Sequence, residues 1–526
     1  MFRQLLLCLA LCAYLAVAVD LDVDLGYAKY RGIHEPGGVL RWAGMRYARS
    51  VSRVDGMRFA APQDPVPERQ GLVVNASKFG PLCIGTDSAL QNEFGGRQSE
   101  DCLFANVWAP AKATNESNFP VYIFIQGGGF NANGNADYNA TKLVQASNNS
   151  MVVVNFNYRV GPYGFLAGND VIADDDVSLN NGLKDQRQLF KWVQQHITKF
   201  GGDPNHVTIG GPSAGAGSVV LHLTAYGGRD DKLFHAAAAE SPSFPPLRTE
   251  EDSEFMYEAL RKETGCSDLK CMREMPAPEF QKAVRTMKTN FPGGKSPPIY
   301  FWNPTIDNDF IRDYTYNELR NGHFVKVPTI FGSDENDGLV FTPKSATSLQ
   351  RAQQFVTDQF PNLNKEQWAR IRKIWPGPPD AFKDARWKNV AADIYGHIRY
   401  TCPAINASAS YERGSDFNSW QYRWNVGSAL HVSELGSIWN NGTTAAGVFI
   451  QQYWVSFIKT YDPNKIQTTF LASKGVLTSP NWEPYGTGNG KRMLFTNQND
   501  VSMEDVSQES RDKCEVITGI GAQLSQ

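Results

Sequence analysis

The stretch from Val207 to Leu221 constrains the fold most strongly, because it reads as a buried strand, a tight turn and an apolar helix. Its turn is a G-x-S-x-G motif in which Gly211 and Gly215 flank Ser213. A strand and a helix can meet so closely around a strained serine only when the flanking residues lack a large Cβ group. The motif therefore predicts a nucleophile elbow. In a chain with 46 glycines, a glycine-tightened turn without chemistry is the alternative.

Apolar runs on both sides of this turn predict further core strands, at 121–125, 151–156, 236–239, 327–332 and 420–424. Residues 181–199 predict a helix with one apolar and one polar face. Near the start, segments 44–48 and 56–62 both alternate as short strands do. Strands that alternate with helices favour a mainly parallel sheet covered on both faces. No internal repeat or linker divides the chain, so we expect one large α/β domain over 19–526.

The N-terminus predicts export. Arg3 precedes the apolar run 5–19, and small residues at 16–18 suit cleavage, so residues 1–18 are expected to form a secretory signal peptide. A membrane anchor is the alternative, but the run is shorter than a spanning helix, and no later segment is long and apolar enough to cross a bilayer. We therefore predict a secreted, extracellular protein without stable membrane insertion.

Composition agrees with export and excludes some partners. The net charge is only −3 with both signs interspersed, which argues against a nucleic-acid partner. An even number of cysteines after residue 18 suggests disulfides but leaves their pairing open: Cys83, Cys102, Cys266, Cys271, Cys402 and Cys514. No cysteine or histidine spacing suits zinc, so no metal is expected. N-x-S/T sequons predict glycosylated surface positions at Asn75, Asn115, Asn139, Asn148, Asn406 and Asn441.

Two loops after the serine motif hold the other groups that an α/β-hydrolase needs, an acid and then a histidine, each after a core strand. The carboxylate-rich turn 333–338 follows the strand at 327–332, and His431 lies in the loop after 420–424. The other histidine beyond this turn, His397, falls in an expected helix. His431 is therefore the candidate general base, with an ordinary loop histidine as the alternative.

Gly127, Gly128 and Gly129 directly follow the strand at 121–125. Their backbone N–H groups, with that of Ala214, can stabilise the negative charge that develops on the oxygen of an attacked ester carbonyl. A phosphate cradle is the alternative, but no Lys-Ser/Thr follows the glycines and the spacing does not fit a P-loop. The glycines therefore favour an oxyanion hole.

These motifs resemble the type-B carboxylesterases, the carboxylesterase/cholinesterase family of α/β-hydrolases, and among them the secreted fungal carboxylesterases and lipases. The matching stretches run in order through most of the mature chain: SEDCLFANVW, GGGF, NYRVGPYGFL, NNGLKDQ, FGGDPNHVTIGGPSAGAGSV, GHFVKVPTIFG and the loop around His431. The resemblance implies an α/β-hydrolase fold, with a large, mostly parallel central sheet and helices on both faces. It also implies a serine carboxylic-ester hydrolase that needs no cofactor.

Carried over by position, the resemblance implies a nucleophile, a base and an acid at Ser213, His431 and Asp337, and oxyanion donors at Gly128, Gly129 and Ala214. The family's acid is usually Glu, in an N-x-D-E-G turn. Asp337 is one methylene shorter, so its loop must approach the histidine more closely. Asp334 and Glu335 compete for this role and are expected to belong to a solvated turn.

Two residues depart from the family pattern. Pro212 replaces a common Glu before the nucleophile, and Gln126 replaces His or Tyr before the glycines, so substrate preference can shift while the triad and the oxyanion groups are kept. The resemblance also implies disulfides and one structural ion pair. These are Cys83–Cys102, Cys266–Cys271, Cys402–Cys514 (if all six cysteines are oxidised) and Arg58–Glu100.

The expected substrate is a small-molecule or lipid-like ester. The loop 84–101 has 18 residues and is polar, with Ile84, Leu90 and Phe94 as its main apolar groups. Such a loop is a poor interfacial lid, which favours soluble or short-to-medium acyl esters over an interfacial lipase or sterol esterase. It contains no Trp for cation–π recognition, so choline esters are not expected. A non-catalytic binding ectodomain is disfavoured because the serine, acid and histidine are all present.

Overall fold

The computed structural model describes residues 19–88, 97–133, 138–377, 383–472, 475–486 and 488–526. The predicted signal peptide, and Leu90 and Phe94 of the loop discussed above, lie outside the described residues. An eleven-stranded sheet forms the centre of the molecule. Its strands, in chain order, are β1 Ile33–Glu35, β2 Val39–Arg46, β3 Phe104–Pro110, β4 Phe119–Phe124, β5 Val152–Phe156, β6 Gly202–Pro212, β7 Ala236–Glu240, β8 Thr329–Asp334, β9 Ser419–Trp424, β10 Lys491–Asn497 and β11 Asp500–Asp505.

The spatial order of the sheet is β11-β10-β9-β8-β7-β6-β4-β5-β3-β2-β1. Every neighbouring pair from β5 to β10 is parallel, whereas the pairs at both edges are antiparallel. The expected mainly parallel sheet is therefore confirmed. Short strands outside it pair locally, at Asp22–Asp24, Lys29–Arg31 and Val73–Asn75, at Leu82–Cys83 with Gln98–Ser99, at Arg248–Thr249 with Thr305–Ile306, and at Thr469–Ala472 with Gly475–Thr478.

Helices follow most strands and cover the sheet. They are α1 Thr141–Ala146, α2 Gly161–Phe165, α3 Asn169–Ile172, α4 Asn181–His196, α5 Ala214–Gly228, α6 Glu250–Thr264, α7 Leu269–Glu274, α8 Ala277–Thr286, α9 Thr315–Arg320, α10 Leu349–Gln359, α11 Lys365–Ile374, α12 Lys383–Gly396, α13 Cys402–Gly414, α14 Leu435–Asn440, α15 Ala445–Thr460, α16 Gln508–Gly519 and α17 Gly521–Leu524. A 3₁₀ turn, Ile197–Phe200, extends α4, and a π-helix, His397–Thr401, joins α12 to α13. Within the described residues, no helix has the length and apolar character that crossing a bilayer requires.

The central strands are buried on both faces. Ile123 of β4 and Ile209 of β6 belong to one apolar cluster, while Tyr122 and Phe124 belong to another on the opposite face. Such double burial is why β4 and β5 read as nearly continuous apolar runs, as strands of parallel sheets do. Because the strands run parallel, their carboxyl ends meet at one edge, which carries the loops after β4, β6, β7, β8 and β9.

Two local expectations differ from the structure. The segment 56–62 is not a strand: Met57 and Phe59 are buried side chains of an irregular turn, so their alternation reflects burial and not sheet pairing. Strands β10 and β11 were not anticipated, because charged residues such as Lys491 and Asp500 interrupt their apolar pattern at the sheet edge.

Covalent and ionic links match those that the resemblance implies. Cys83 is bonded to Cys102, Cys266 to Cys271 and Cys402 to Cys514. Arg58 and Glu100 form a buried ion pair at 2.5 Å, and the Arg58 guanidinium also donates to the carbonyl oxygens of Met272 and Met275. This pair ties the first disulfide loop to the region around α7. A second buried pair joins Arg159 to Asp185 at 2.7 Å.

Candidate active site

Ser213 lies at a sharp turn between β6 and α5. Its φ of 57° is in a region that a non-glycine residue occupies only under strain. A Cβ atom at Gly211 or at Gly215 would lie 2.0 Å from the same atom, the carbonyl oxygen of Ile125. Both glycines of the motif are therefore required for β4, β6 and α5 to approach one another, as the sequence predicts.

The glycines after β4 lie beside this serine. A Cβ atom at Gly127 would be 3.1 Å from that of Ser213, and Gly128 and Gly129 have positive φ values of 113° and 62°. Among the described residues, the N–H groups of Gly128, Gly129 and Ala214 have no acceptor. The N-terminus of α5 adds a partial positive charge at the same place. The arrangement can accept a negatively charged oxygen.

His431 contacts Asp337, with Nδ1 2.6 Å from Oδ1. The other carboxylate oxygen, Oδ2, accepts the N–H of Asp334 at 3.0 Å and lies 3.1 Å from the hydroxyl of Ser241. Since an ionised carboxylate only accepts, the hydrogen bond places the imidazole proton on Nδ1. The buried Nε2 has no hydrogen-bond partner in the described part of the chain, so its lone pair can accept a proton when Nδ1 carries the other one.

Asp334 holds the histidine loop in place. Its carboxylate accepts the N–H of Val432 at 2.9 Å and the hydroxyl of Ser433 at 2.7 Å. Val432 is β-branched and has a φ of 55°, a strained conformation that this hydrogen bond helps to maintain. The expected solvated turn is wrong for Asp334, whose exposure is 1%. Glu335, by contrast, is exposed and pairs with Arg423 at 2.7 Å.

Two more carboxyl groups lie buried behind this loop. Glu434 accepts the hydroxyl of Tyr422 at 2.5 Å, and its other carboxyl oxygen has no hydrogen-bond partner among the described residues. Glu240 is the last residue of β7 and has no hydrogen-bond partner on either carboxyl oxygen within the described residues. Burial, and then the charge of Glu434, raises the pKa of both Glu240 and Asp334 well above the ordinary range, and burial raises the pKa of Glu434. Burial and mutual repulsion therefore favour the protonated forms within this carboxyl cluster.

Aromatic side chains enclose the imidazole. The ring centroids of Tyr400 and Phe341 lie 4.3 and 5.1 Å from that of His431. Burial raises the pKa of Tyr400 well above its usual range, so the ring is neutral. Tyr300 packs edge-on against Phe341 at 6.2 Å and covers Gly129, where a Cβ atom would lie 2.2 Å from the Tyr300 ring.

The remaining sequence candidates lie around the site but not in it. His397 is in the π-helix, where its Nδ1 contacts the backbone oxygen of Asp393 at 2.9 Å. The side chain of Gln126 is buried against Asn133, so it shapes the glycine loop from behind. Pro212 is the last residue of β6, where proline removes a backbone donor immediately before the serine.

Together these features define a class of protein. A mainly parallel sheet carries a strained serine after β6, a carboxylate after β8 and a histidine after β9, in the chain order of an α/β-hydrolase. Within the described residues, no group of three or more metal-ligating side chains is arranged to hold an ion.

Comparisons with known proteins give the family. The model of the carboxylesterase family matches residues 20–515, so the chain belongs to that family. It is 29% identical to Lipase 2 of Geotrichum candidum over 517 residues, covering 86% of this chain and 87% of the relative. It is also 29% identical to Secreted lipase 1 of Botryotinia fuckeliana over 425 residues, covering 74% and 71%. The crystal structure of Aspergillus niger EstA superimposes with a TM-score of 0.87 at 36% identity, over 96% and 99% of the chains. The protein is a carboxylic-ester hydrolase.

Proposed function

We propose that Ser213, His431 and Asp337 form the catalytic triad of this hydrolase. The observation that carries the proposal is the 2.6 Å contact between His431 and Asp337, at the edge of the sheet where Ser213 occupies its strained turn. Asp337 is 2% exposed, so its charge acts on the imidazole with little screening by water. The loops after β8 and β9 lie close together, since the N–H of Asn336 donates to the carbonyl of Ala429 at 2.9 Å. The shorter Asp side chain can therefore reach the histidine in place of the family's usual Glu.

The proposed reaction has two acyl-transfer steps. His431 Nε2 takes the hydroxyl proton of Ser213 while Oγ bonds to the ester carbonyl carbon, and Asp337 stabilises the imidazolium that forms. The imidazolium then protonates the alkoxy oxygen, the C–O bond breaks and the alcohol leaves. Water, deprotonated by His431, attacks the acyl-enzyme, which returns the proton to Ser213 and releases the acid. The N–H groups of Gly128, Gly129 and Ala214 stabilise the oxyanion in both steps.

Paired amide substitutions test the acid. Asp337→Asn keeps the size of the side chain but cannot hold the imidazole in the required tautomer, so turnover of p-nitrophenyl butyrate should fall by roughly 10⁴-fold. Glu335→Gln changes an exposed carboxylate two residues away and is the matched control. If only the control variant loses activity, the assignment is wrong. Full turnover in Ser213→Ala would overturn the triad itself.

We infer that short-to-medium acyl esters are the preferred substrates. The site is lined closely by Tyr300, Phe341 and Tyr400, and the serine is 8% exposed, which suits a compact ester better than an oil surface. Lipase names among the fungal relatives make interfacial lipolysis the second candidate. A series of p-nitrophenyl esters from acetate to palmitate, with a triglyceride emulsion as its last member, separates them. An increase in rate at the emulsion interface would favour the lipase.

We further propose that the protein is a secreted glycoprotein, as its leader and the names of fungal secreted lipases suggest. Asn75, Asn115, Asn139, Asn148 and Asn441 are exposed. Asn406 is the least accessible of the six sequon asparagines, because it is half-buried within α13. Mass spectrometry of the protein from culture medium, before and after enzymatic deglycosylation, should find glycans at the five exposed positions and an N-terminus at Val19.

A further inference from the structure

A buried guanidinium lies next to the candidate active site. Arg399 belongs to the π-helix between α12 and α13, a conformation that is frequent at functional sites, and its exposure is 3%. Its carbonyl oxygen accepts the N–H of Phe244 at 3.0 Å. The preceding residue, Ser243, donates its N–H to the carbonyl oxygen of Ser213 at 3.1 Å. The backbone of Arg399 is thus linked through two residues to the serine.

The side chain of Arg399 lies behind the aromatic groups of the site. The guanidinium carbon is 5.7 Å from the centroid of the Tyr300 ring, which covers Gly129. The next residue, Tyr400, places its ring 4.3 Å from that of His431. Tyr300 and Tyr400, both neighbours of Arg399, therefore contact the glycine loop and the imidazole.

Among the residues that the structure describes, Arg399 has no anionic partner. Its Nε and Nη2 atoms are buried without an acceptor, and no Asp or Glu carboxylate of the described residues lies within 4.0 Å of its guanidinium. Arg58 and Arg159, which are equally buried, have Glu100 and Asp185 as partners. An unpaired buried charge is unfavourable, and the contact with Tyr300 compensates only part of the lost hydration.

We propose that Arg399 is a specificity residue that binds a carboxylate of the substrate, so that the preferred esters carry a negative charge on their acyl or alcohol part. This rests on the proposed role of Ser213 as the nucleophile. A carboxylate suits the planar donors of a guanidinium, and charge-assisted hydrogen bonds are strongest where water is excluded. Such a bond is expected to favour the anionic ester by roughly 10- to 100-fold in kcat/KM.

Two pairs of esters test the proposal and locate the charge. Monomethyl glutarate and methyl pentanoate differ by an acyl carboxylate, whereas 4-(butyryloxy)benzoate and 4-methylphenyl butyrate differ by a carboxylate on the alcohol. The measurement is the anionic-to-neutral ratio of kcat/KM, at pH 7 and constant ionic strength. In Arg399→Met, the ratio should fall roughly 10- to 100-fold for at least one pair, and Arg399→Lys should recover part of it. Arg413→Met removes an exposed charge from α13 and should leave the ratios as in the wild type.

The anionic-to-neutral ratio of kcat/KM distinguishes a failure of this proposal from a failure of the proposed triad. If both ratios are the same in the wild type and in Arg399→Met, the carboxylate subsite is refuted. If the wild type hydrolyses none of the four esters, or Ser213→Ala hydrolyses them as fast as the wild type does, the proposed function itself fails. Should Arg399→Met not fold, inert ketones in which CH₂ replaces the ester oxygen are tested on the wild type. The anionic ketones should inhibit roughly 10- to 100-fold more strongly than the neutral ones, and equal inhibition overturns the proposal.

Discussion

The free energy of unfolding of Glu240→Gln, relative to that of the wild type at the same pH, should increase as the pH rises. Glu240 is wholly buried, its carboxyl oxygens have no hydrogen-bond partner in the described residues, and Glu434 lies near it. Burial holds its pKa well above that of an exposed Glu. The folded state therefore keeps a proton that the unfolded chain releases above about pH 4–5, so its contribution to stability is complete below that range and is lost as the pH rises towards the folded pKa. Glutamine keeps the shape without the titrating proton.

The size of this effect follows from linkage. One retained proton costs about 1.4 kcal/mol per pH unit for as long as the folded state holds it, so Glu240→Gln should gain up to about 2.7 kcal/mol over the wild type between pH 5 and pH 7. An unfolding entropy of roughly 2 cal/mol/K per residue gives a 526-residue chain about 1 kcal/mol/K. The gain therefore corresponds to a relative rise of about 2–3 °C in the thermal midpoint, which intrinsic-fluorescence scanning resolves.

The assay compares apparent thermal midpoints of wild type and variant from pH 5 to pH 7 at one scan rate. Glu274→Gln, at an exposed carboxylate at the end of α7, is the control, and its midpoints should run parallel to those of the wild type. Parallel curves for Glu240→Gln would refute the reasoning. They would mean that Glu240 is either ionised in the folded protein or still protonated in the unfolded one.

Three further substitutions probe covalent, steric and ionic features. Changing Cys402 and Cys514 to Ser opens a link across 112 residues and should cost about 4–5 kcal/mol, measured as a lower thermal midpoint under oxidising conditions. Gly215→Ala puts a Cβ atom 2.0 Å from the carbonyl oxygen of Ile125, so the elbow must open; we expect a loss of about 1–3 kcal/mol and lower ester turnover, and wild-type activity would contradict this. Asp185→Ala leaves its buried arginine partner unpaired and should cost about 3–5 kcal/mol, so an unchanged denaturation midpoint would show that the pair is unimportant.

The sequence predicted the elbow and the central strands because each leaves a local trace. The two glycines of G-x-S-x-G are required because any Cβ atom there would collide with the carbonyl oxygen of Ile125. The parallel strands appear as apolar runs because they are buried on both faces. The order of Asp337 and His431 then follows from strand order alone. Chain order and turn chemistry were therefore enough to find the serine, the histidine and the carboxylate-rich turn, whereas Asp337 was singled out within that turn by the family resemblance.

Residues that act through tertiary contacts cannot be recognised from the local sequence pattern. Asp334 looks like part of a solvated turn, yet it is buried because the loop after β9 folds over it and donates to its carboxylate. Glu240 gives no signal beyond following a strand. Arg399 and Tyr400 reach the site only because the π-helix packs against the loop that contains Phe244. Sequence patterns report burial and backbone conformation, but they do not report which distant loop supplies the partner.

The spacing of the site along the chain bears on how the protein is made. Asp337 and His431 are 94 positions apart in the chain, and the strands that bring them together pair in parallel, which is a slow kind of contact to form. A nascent chain that has emerged as far as β8 already contains the elbow but not His431, the proposed base. Ester turnover during synthesis or refolding therefore begins only after β9 has joined the sheet, later than the appearance of helical structure, and its onset can serve as a kinetic marker of sheet completion.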